Sequence, residues 1–231
     1  MIGIFDYTVI LTYFSLLSAG TGIIVSLHGN GHPYWGVFFL LICGICDLFD
    51  GKVARTKKNR TEMERNFGIQ IDSLSDMVAF GVLPACIGVS LLWNSRFLNE
   101  VVGINDRVWY CVILKAVLFA VLMLYMLGAL IRLAYYNVTE EERQRTEGGN
   151  RKYFVGFPVT LSTFIFPLTI ILQYLTPIDF TLLYFVFIAF MAYAFVSKIH
   201  FPKPGAKMLS IMICIGIVEV IALFILNKFV F

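Results

Sequence analysis

The sequence predicts an all-α fold, a polytopic bundle of transmembrane helices, and three observations carry that expectation. Of 231 residues, 59% are apolar and only 14% are charged, against about 45 to 50% and about 25% in an ordinary soluble domain. Mean hydropathy is +0.82. The apolar residues gather in seven runs, at about 8–27, 34–49, 77–93, 108–136, 153–174, 178–197 and 208–227, most of them near the ~20 residues a helix needs to cross a bilayer. Barrel strands would alternate over ~10 residues instead, and a backbone in lipid must satisfy its own hydrogen bonds, which helices do.

Taken in order, the first run has no Lys or Arg ahead of it in residues 1–10 and no small-residue cleavage site, so it is expected to stay as a span. The fourth is long and holds Lys115 near its start, which predicts a tilt or a lysine snorkelling to the interface. The seven runs leave short loops and no room for a soluble domain, so 1–231 reads as one integral-membrane unit. Its core covers about 8–205, and an extra C-terminal span covers about 208–227. Cys43, Cys46, Cys86, Cys111 and Cys214 all lie in or beside apolar runs, where a free thiol packs as a small hydrophobe; no disulfide framework is expected.

The net charge of +3 is too weak and too scattered for nucleic acid. Its placement matters more. Lys52, Arg55, Lys57, Lys58, Arg60, Arg65, Arg143, Arg145, Arg151, Lys152, Lys198, Lys203 and Lys207 fall in alternate connections, and the others hold only Arg96 and Arg107. The positive-inside rule then puts the N-terminus in the cytoplasm.

One segment breaks the apolar pattern. Residues 47–76 carry 12 of the 33 charged side chains, among them four aspartates. Asp47 and Asp50 are three apart at the end of the second run, and Asp72 and Asp76 are four apart at the start of the third. Each pair shares a helix face, and both pairs sit at the same, cytoplasmic, membrane depth with the polar stretch 56–69 between them. Four bare carboxylates there would repel, so compensation is required. Hard divalent cations suit carboxylate oxygens and keep positions open for phosphate, and two ions ~4 Å apart can clamp a phosphoryl group. Pairing with Lys52 and Arg55 is the plainer alternative. Gly51 and Ala54 leave space beside Asp50, Arg55 offers a donor fork suited to phosphate, and Gly68 repeats the small-residue theme; close helix packing would ask for the same small residues.

Together, Asp47-x-x-Asp50-Gly51-x-x-Ala54-Arg55 and Gly68-x-x-x-Asp72-x-x-x-Asp76 resemble the defining motif of the CDP-alcohol phosphotransferase family. Ser75 to Pro84, Arg132-Leu133 with Asn137, Gly156-Phe157-Pro158, and Ser197-Lys198-Ile199 with Phe201-Pro202 are similar to its phosphatidylserine synthase branch. In one respect the chain departs from the pattern: twelve residues separate Arg55 from Gly68, a longer connection than the family's usual one.

The resemblance implies a six-helix catalytic core in which a CDP-linked lipid meets an alcohol and CMP is released. Asp47, Asp50, Asp72 and Asp76 would hold Mg²⁺ or Mn²⁺, two ions by analogy, with Asp76 also the base for the acceptor's proton. Gly51, Ala54, Arg55 and Gly68 would cradle CDP. The implied donor is CDP-diacylglycerol and the implied acceptor L-serine, whose zwitterion calls for Arg132, Asn137, Ser197 and Lys198. Another small alcohol, such as an inositol, glycerol or choline derivative, is the alternative acceptor, and a cation transporter is the distant alternative function. Small residues along the spans also suggest homodimer packing within the membrane lipids.

Overall fold

The computed structural model describes residues 3–28, 32–95, 98, 109–146, 153–202 and 206–230. After a short 3-10 turn at Tyr7–Val9 come α1 (Ile10–Leu27), α2 (Pro33–Ala54), α3 (Glu62–Asp76), a π-helical turn at Met77–Val82, and α4 (Leu83–Asn94). Then follow α5 (Trp109–Thr146), β1 (Tyr153–Val155), α6 (Ser162–Leu175), α7 (Thr181–Val196), β2 (His200–Pro202) and α8 (Ala206–Val230). The protein is a helical membrane bundle. Three helical stretches, Tyr7–Leu27, Glu62–Asn94 and Trp109–Arg143, are long and apolar enough to cross a membrane. Large apolar side chains such as Val117, Leu124, Leu127 and Ile131 stand exposed along α5, which suits contact with lipid and not with water.

Lipid offers no hydrophobic force to draw apolar helices together, so close backbone approach and hydrogen bonds must do it. The α1–α2 pair shows how. Thr8, Thr12, Ser15, Ala19, Gly22 and Ser26 form a buried stripe of small residues at helical spacing. A Cβ on Gly22 would come within 2.9 Å of the Phe39 Cβ, and one on Gly36 would overlap the Ser26 hydroxyl. Ser18 Oγ donates to the Phe39 carbonyl at 3.3 Å, and Cys43 Sγ to the Ser15 carbonyl at 3.3 Å. On its other side α2 meets α6 through Gly44, where any Cβ would overlap Thr163.

An aromatic cluster fills the centre. Phe166 on α6 lies 4.8 Å from Tyr184 on α7 and 5.8 Å from Tyr125 on α5, centroid to centroid. The two tyrosine hydroxyls are directed at the acid-bearing rod. In the π turn the Leu83 N–H bonds to the Val78 carbonyl, five residues back, and Pro84 has no N–H to offer the Phe80 carbonyl. Tyr125 Oη donates to that carbonyl at 2.6 Å, and Tyr184 Oη donates to the Pro84 carbonyl at 2.6 Å. A backbone irregularity directly after Asp76 is thus locked to α5 and α7.

The apolar runs marked the lipid-facing lengths and missed three element boundaries. The third span begins at Glu62, not near 77, because Thr61 and Glu64 form a capping box that starts α3 inside the polar stretch. α5 continues to Thr146, ten residues past the end of the fourth run at about 136, helped by Arg143 pairing with Glu140 at 2.6 Å. The fifth run opens as strand β1, paired antiparallel with β2, and becomes α6 only after Gly156 and Pro158. Arg96, Arg107, Gly149, Arg151, Lys152 and Lys203 lie outside the described residues.

Gly156 adopts φ +84°, and a Cβ there would meet Arg132 Nε and the Phe195 carbonyl at 3.0 Å. Gly156→Ala is therefore expected to destabilise the protein by about 1–3 kcal/mol, measured as a lowered thermal midpoint in detergent with the helical circular-dichroism signal retained.

Candidate active site

The capping box at Thr61 starts α3, and packing of both α2 and α3 on α1 brings their acid-bearing lengths together. Asp47, Asp50 and Asp72 converge: each offers one carboxylate oxygen, and these oxygens all lie within 4.8 Å of one another. Asp50 is nearly buried and faces Asp72 within hydrogen-bonding reach, while Asp47 and Asp72 are half-buried. Asp76, one helical turn beyond Asp72, is not part of that trio, although it feels the charges of Asp47, Asp72 and Asp50.

The acid helix is held in place by the residues between its aspartates. Ser75 Oγ donates to the Thr12 carbonyl on α1 at 3.2 Å. Ser73 Oγ donates to the Ile69 carbonyl at 3.1 Å and accepts from Asn137 Nδ2 of α5 at 2.7 Å. Side chains that alternate with the acids thus fasten α3 to two neighbours.

Among the described residues no ion pair reaches the trio. Lys52 lies over the Phe49 ring, 5.4 Å from its centroid, and Arg55 is exposed at the end of α2. Among the described residues neither forms an ion pair with any of the four aspartates. At 4.8 Å or less, each ionised pair repels by about 3–4 kcal/mol at an effective dielectric of ~20. Three convergent hard oxygen donors of this kind fit a divalent cation, which carboxylates bind at a few ångströms and which leaves coordination positions for phosphate.

Beside the trio opens a cleft of about 140 Å³, lined by Asp50, Asp72, Gly51, Ala54, Gly68, Arg60, Arg65 and, from the N-terminal turn and start of α1, Thr8, Val9 and Thr12. Gly51 lacks a neighbour: a Cβ there would meet nothing nearer than the Arg55 guanidinium at 4.0 Å. No helix packs into the gap that Gly51 leaves, so its smallness keeps the cleft open. Gly68 differs, since a Cβ there would collide with Arg60 Nη2 at 2.8 Å.

The other sequence-predicted residues are placed apart from the trio's cleft. Arg132 is buried, with Nε donating to the Phe157 carbonyl at 3.1 Å and Nη2 reaching the Gly156 carbonyl at 3.5 Å; its guanidinium also lies over Tyr136. Ser197 Oγ donates to the Ala194 carbonyl at 2.8 Å, and Lys198 is exposed beyond the end of α7. These three gather around the Gly156 turn, which is tied to the end of α7 by the Gly156 N–H to Ile199 carbonyl bond at 2.8 Å. Asn137 is linked to the acid helix, through Ser73. The linings contributed by Thr8, Thr12, Arg60 and Arg65 were missed by sequence reasoning; the Thr8-Thr12-Ser15 spacing on α1 was the available signal for the first two.

Residues 7–199 match the family described as CDP-alcohol phosphatidyltransferase. The chain belongs to this family. Within it, the chain is 31% identical over 157 residues to a CDP-diacylglycerol–serine O-phosphatidyltransferase of Saccharomyces cerevisiae, covering 67% of this chain and 48% of the relative. It is 32% identical over 158 residues to the archaetidylserine synthase of Methanothermobacter thermautotrophicus, covering 65% and 54%. A CDP-diacylglycerol–serine O-phosphatidyltransferase of Helicobacter pylori matches at 25% identity over 194 residues, covering 82% and 70%. The chain thus spans about half the length of the first two relatives. The family match ends at residue 199, before α8.

Removing one member of the trio, Asp47→Asn or Asp72→Asn, is expected to weaken Mn²⁺ binding by at least about tenfold, or 1.4 kcal/mol. Titration of purified protein followed by Mn²⁺ electron paramagnetic resonance checks this.

Proposed function

We infer that this protein transfers a phosphatidyl group from CDP-diacylglycerol to the hydroxyl of L-serine, releasing CMP, in phospholipid synthesis. The observation that carries the reading is the aspartate trio beside an open, glycine-lined cleft. Two further facts support it: the family match over 7–199, and the serine-specific names of the relatives. The basic residues flanking the acid pairs favour a cytoplasmic orientation for this end of the bundle.

In this reading Asp47, Asp50 and Asp72 hold the divalent ions, Mg²⁺ or Mn²⁺, with Asp76 contributing from one turn away. A bound ion would screen the donor's diphosphate and stabilise the negative charge that collects on CMP as it leaves. Gly51 and Ala54 admit the CDP group against the α2 backbone, Gly68 contributes to the cradle by seating Arg60 at the cleft, and Arg55, exposed at the end of α2, is a donor for phosphate oxygens. The serine hydroxyl oxygen bonds to the phosphorus on the lipid side, the phosphorus–oxygen bond to CMP breaks, and the hydroxyl proton passes to Asp76. What supports Asp76 as the base is its position outside the convergent trio, which leaves its carboxylate available for a proton.

For the acceptor we propose Asn137, whose bond to Ser73 puts an amide beside the acid helix, together with Arg132, Ser197 and Lys198 around the Gly156 turn, Arg132 and Lys198 supplying the positive charge that the serine carboxylate needs. The decisive experiment incubates purified protein and Mn²⁺ with CDP-diacylglycerol and serine, inositol, glycerol or choline in turn, following CMP. Release that depends on serine is expected, and release indifferent to serine overturns the acceptor assignment. Asp76→Asn is expected to lower turnover by roughly 10²- to 10⁴-fold while CDP binding, measured by calorimetry, stays close to that of the parent protein.

A further inference from the structure

The connection between Arg55 and Gly68, longer than the family resemblance leads one to expect, is folded and not slack. At its start the Thr56 N–H and hydroxyl both bond to the Val53 carbonyl, at 3.0 and 2.7 Å. In its middle Lys57 Nζ bonds to Asp6 Oδ2 at 2.7 Å and to Glu64 Oε1 at 2.8 Å. The Lys57 hydrogen bond holds the Asp6 carboxyl below the usual carboxylate range, and its two acidic partners hold Lys57 above the usual lysine range, so the clasp is charged throughout neutral pH. At its end Glu64 Oε2 accepts from the Thr61 N–H at 2.9 Å, and Thr61 Oγ1 accepts from the Glu64 N–H at 3.2 Å. The loop is therefore pinned to the N-terminal segment on one side and to the first turn of α3 on the other.

Between those pins Arg60 turns inward. It lines the cleft together with Asp50, Asp72, Gly51 and Gly68. Its Nη2 lies against Gly68, where even a methyl group would come within 2.8 Å. Its Nε is buried and has no hydrogen-bond partner among the described residues, and among them Arg60 forms no ion pair. The carboxylates of Asp6 and Glu64, on either side of the loop, are already engaged by Lys57.

A buried guanidinium nitrogen without an acceptor costs free energy unless a ligand supplies one. Asp50 and Asp72 line the same cleft and are suited to cations, so it presents cation-binding and anion-binding groups together, which matches a ligand that carries its own negative charge and binds metal as well. We propose that Arg60 binds a phosphate of the CDP-linked donor, gripping it beside Gly68, one helical turn along α3 from Asp72. The inference rests on the donor assignment made above. It accounts for Gly68, because the absence of a side chain there makes room for Arg60 Nη2 against α3. It also gives the long connection a purpose, since Arg60 falls within the lengthened stretch and the Lys57 clasp sets its direction. Arg55, by contrast, is exposed and outside the cleft lining.

The test measures the Michaelis constants for CDP-diacylglycerol and for serine, and the affinity for CDP in the presence of Mn²⁺, in the parent protein and in Arg60→Gln, Arg60→Lys and Lys58→Gln. Arg60→Gln is expected to raise the donor Michaelis constant and the CDP dissociation constant roughly 10- to 100-fold, with the serine constant little changed. Arg60→Lys recovers part of the loss, and Lys58→Gln, a change in the same loop outside the cleft lining, matches the parent. Mn²⁺ affinity without nucleotide, unchanged in Arg60→Gln, shows that the aspartate site still forms; if instead it falls with the CDP affinity, Arg60 is structural and the proposal is wrong. Donor and CDP constants equal to the parent's also overturn it. A parent protein that releases no CMP from any CDP-linked lipid yet binds CDP in an Arg60-dependent way defeats the reaction assigned above and leaves this contact standing.

Discussion

Mutual repulsion among carboxylates is the constraint around which the acid-bearing half of the bundle is arranged. Asp47, Asp50 and Asp72 are forced within 4.8 Å of one another at the edge of an apolar assembly, where water can screen them only in part. Folding could have relieved the repulsion with the basic residues close by in the chain, yet Lys52 lies on Phe49 and Lys57 is committed to Asp6 and Glu64. The charge is left for something the chain does not supply. The helices that carry and surround the acids are fastened to one another by side-chain hydrogen bonds.

The fastening has a common chemistry. Hydroxyl and thiol groups of Ser18, Cys43, Ser75, Tyr125 and Tyr184 donate to backbone carbonyls of neighbouring helices. In a membrane bundle such bonds substitute for the burial energy that water would otherwise provide. The π turn at Met77–Val82 is the most telling case. It follows Asp76 directly, its carbonyl pattern is disturbed by Pro84, and two buried tyrosines of the core repair it. The position of Asp76 relative to the trio thus depends on side chains contributed by α5 and α7, far along the chain.

Two glycines of one motif do different things. Gly51 faces open space, and Gly68 makes room for a side chain from a loop. Elsewhere in the bundle Gly22, Gly36 and Gly44 serve helix packing. The residue type is the same in all five, so only the neighbours distinguish a cradle from a contact.

What the sequence by itself determined was the class of fold, the approximate spans and the pairing of acids at one end of adjacent helices. These follow from composition and from local periodicity, which a chain carries in its own order of residues. It also held the family motif, because that motif is a set of spacings within a short segment. Only the tertiary structure decided that Asp76 stands off from the trio, that α3 starts at Glu62, that residues 153–155 pair with 200–202, that Arg60 lines the cleft and that Arg132 bonds to the Gly156 turn. Most of these depend on a partner distant in sequence: Asp6 for the loop, Tyr125 for the π turn, Ile199 for the turn before α6. Periodicity says which face of a helix is apolar, but which neighbour satisfies a given donor is fixed only when the helices meet.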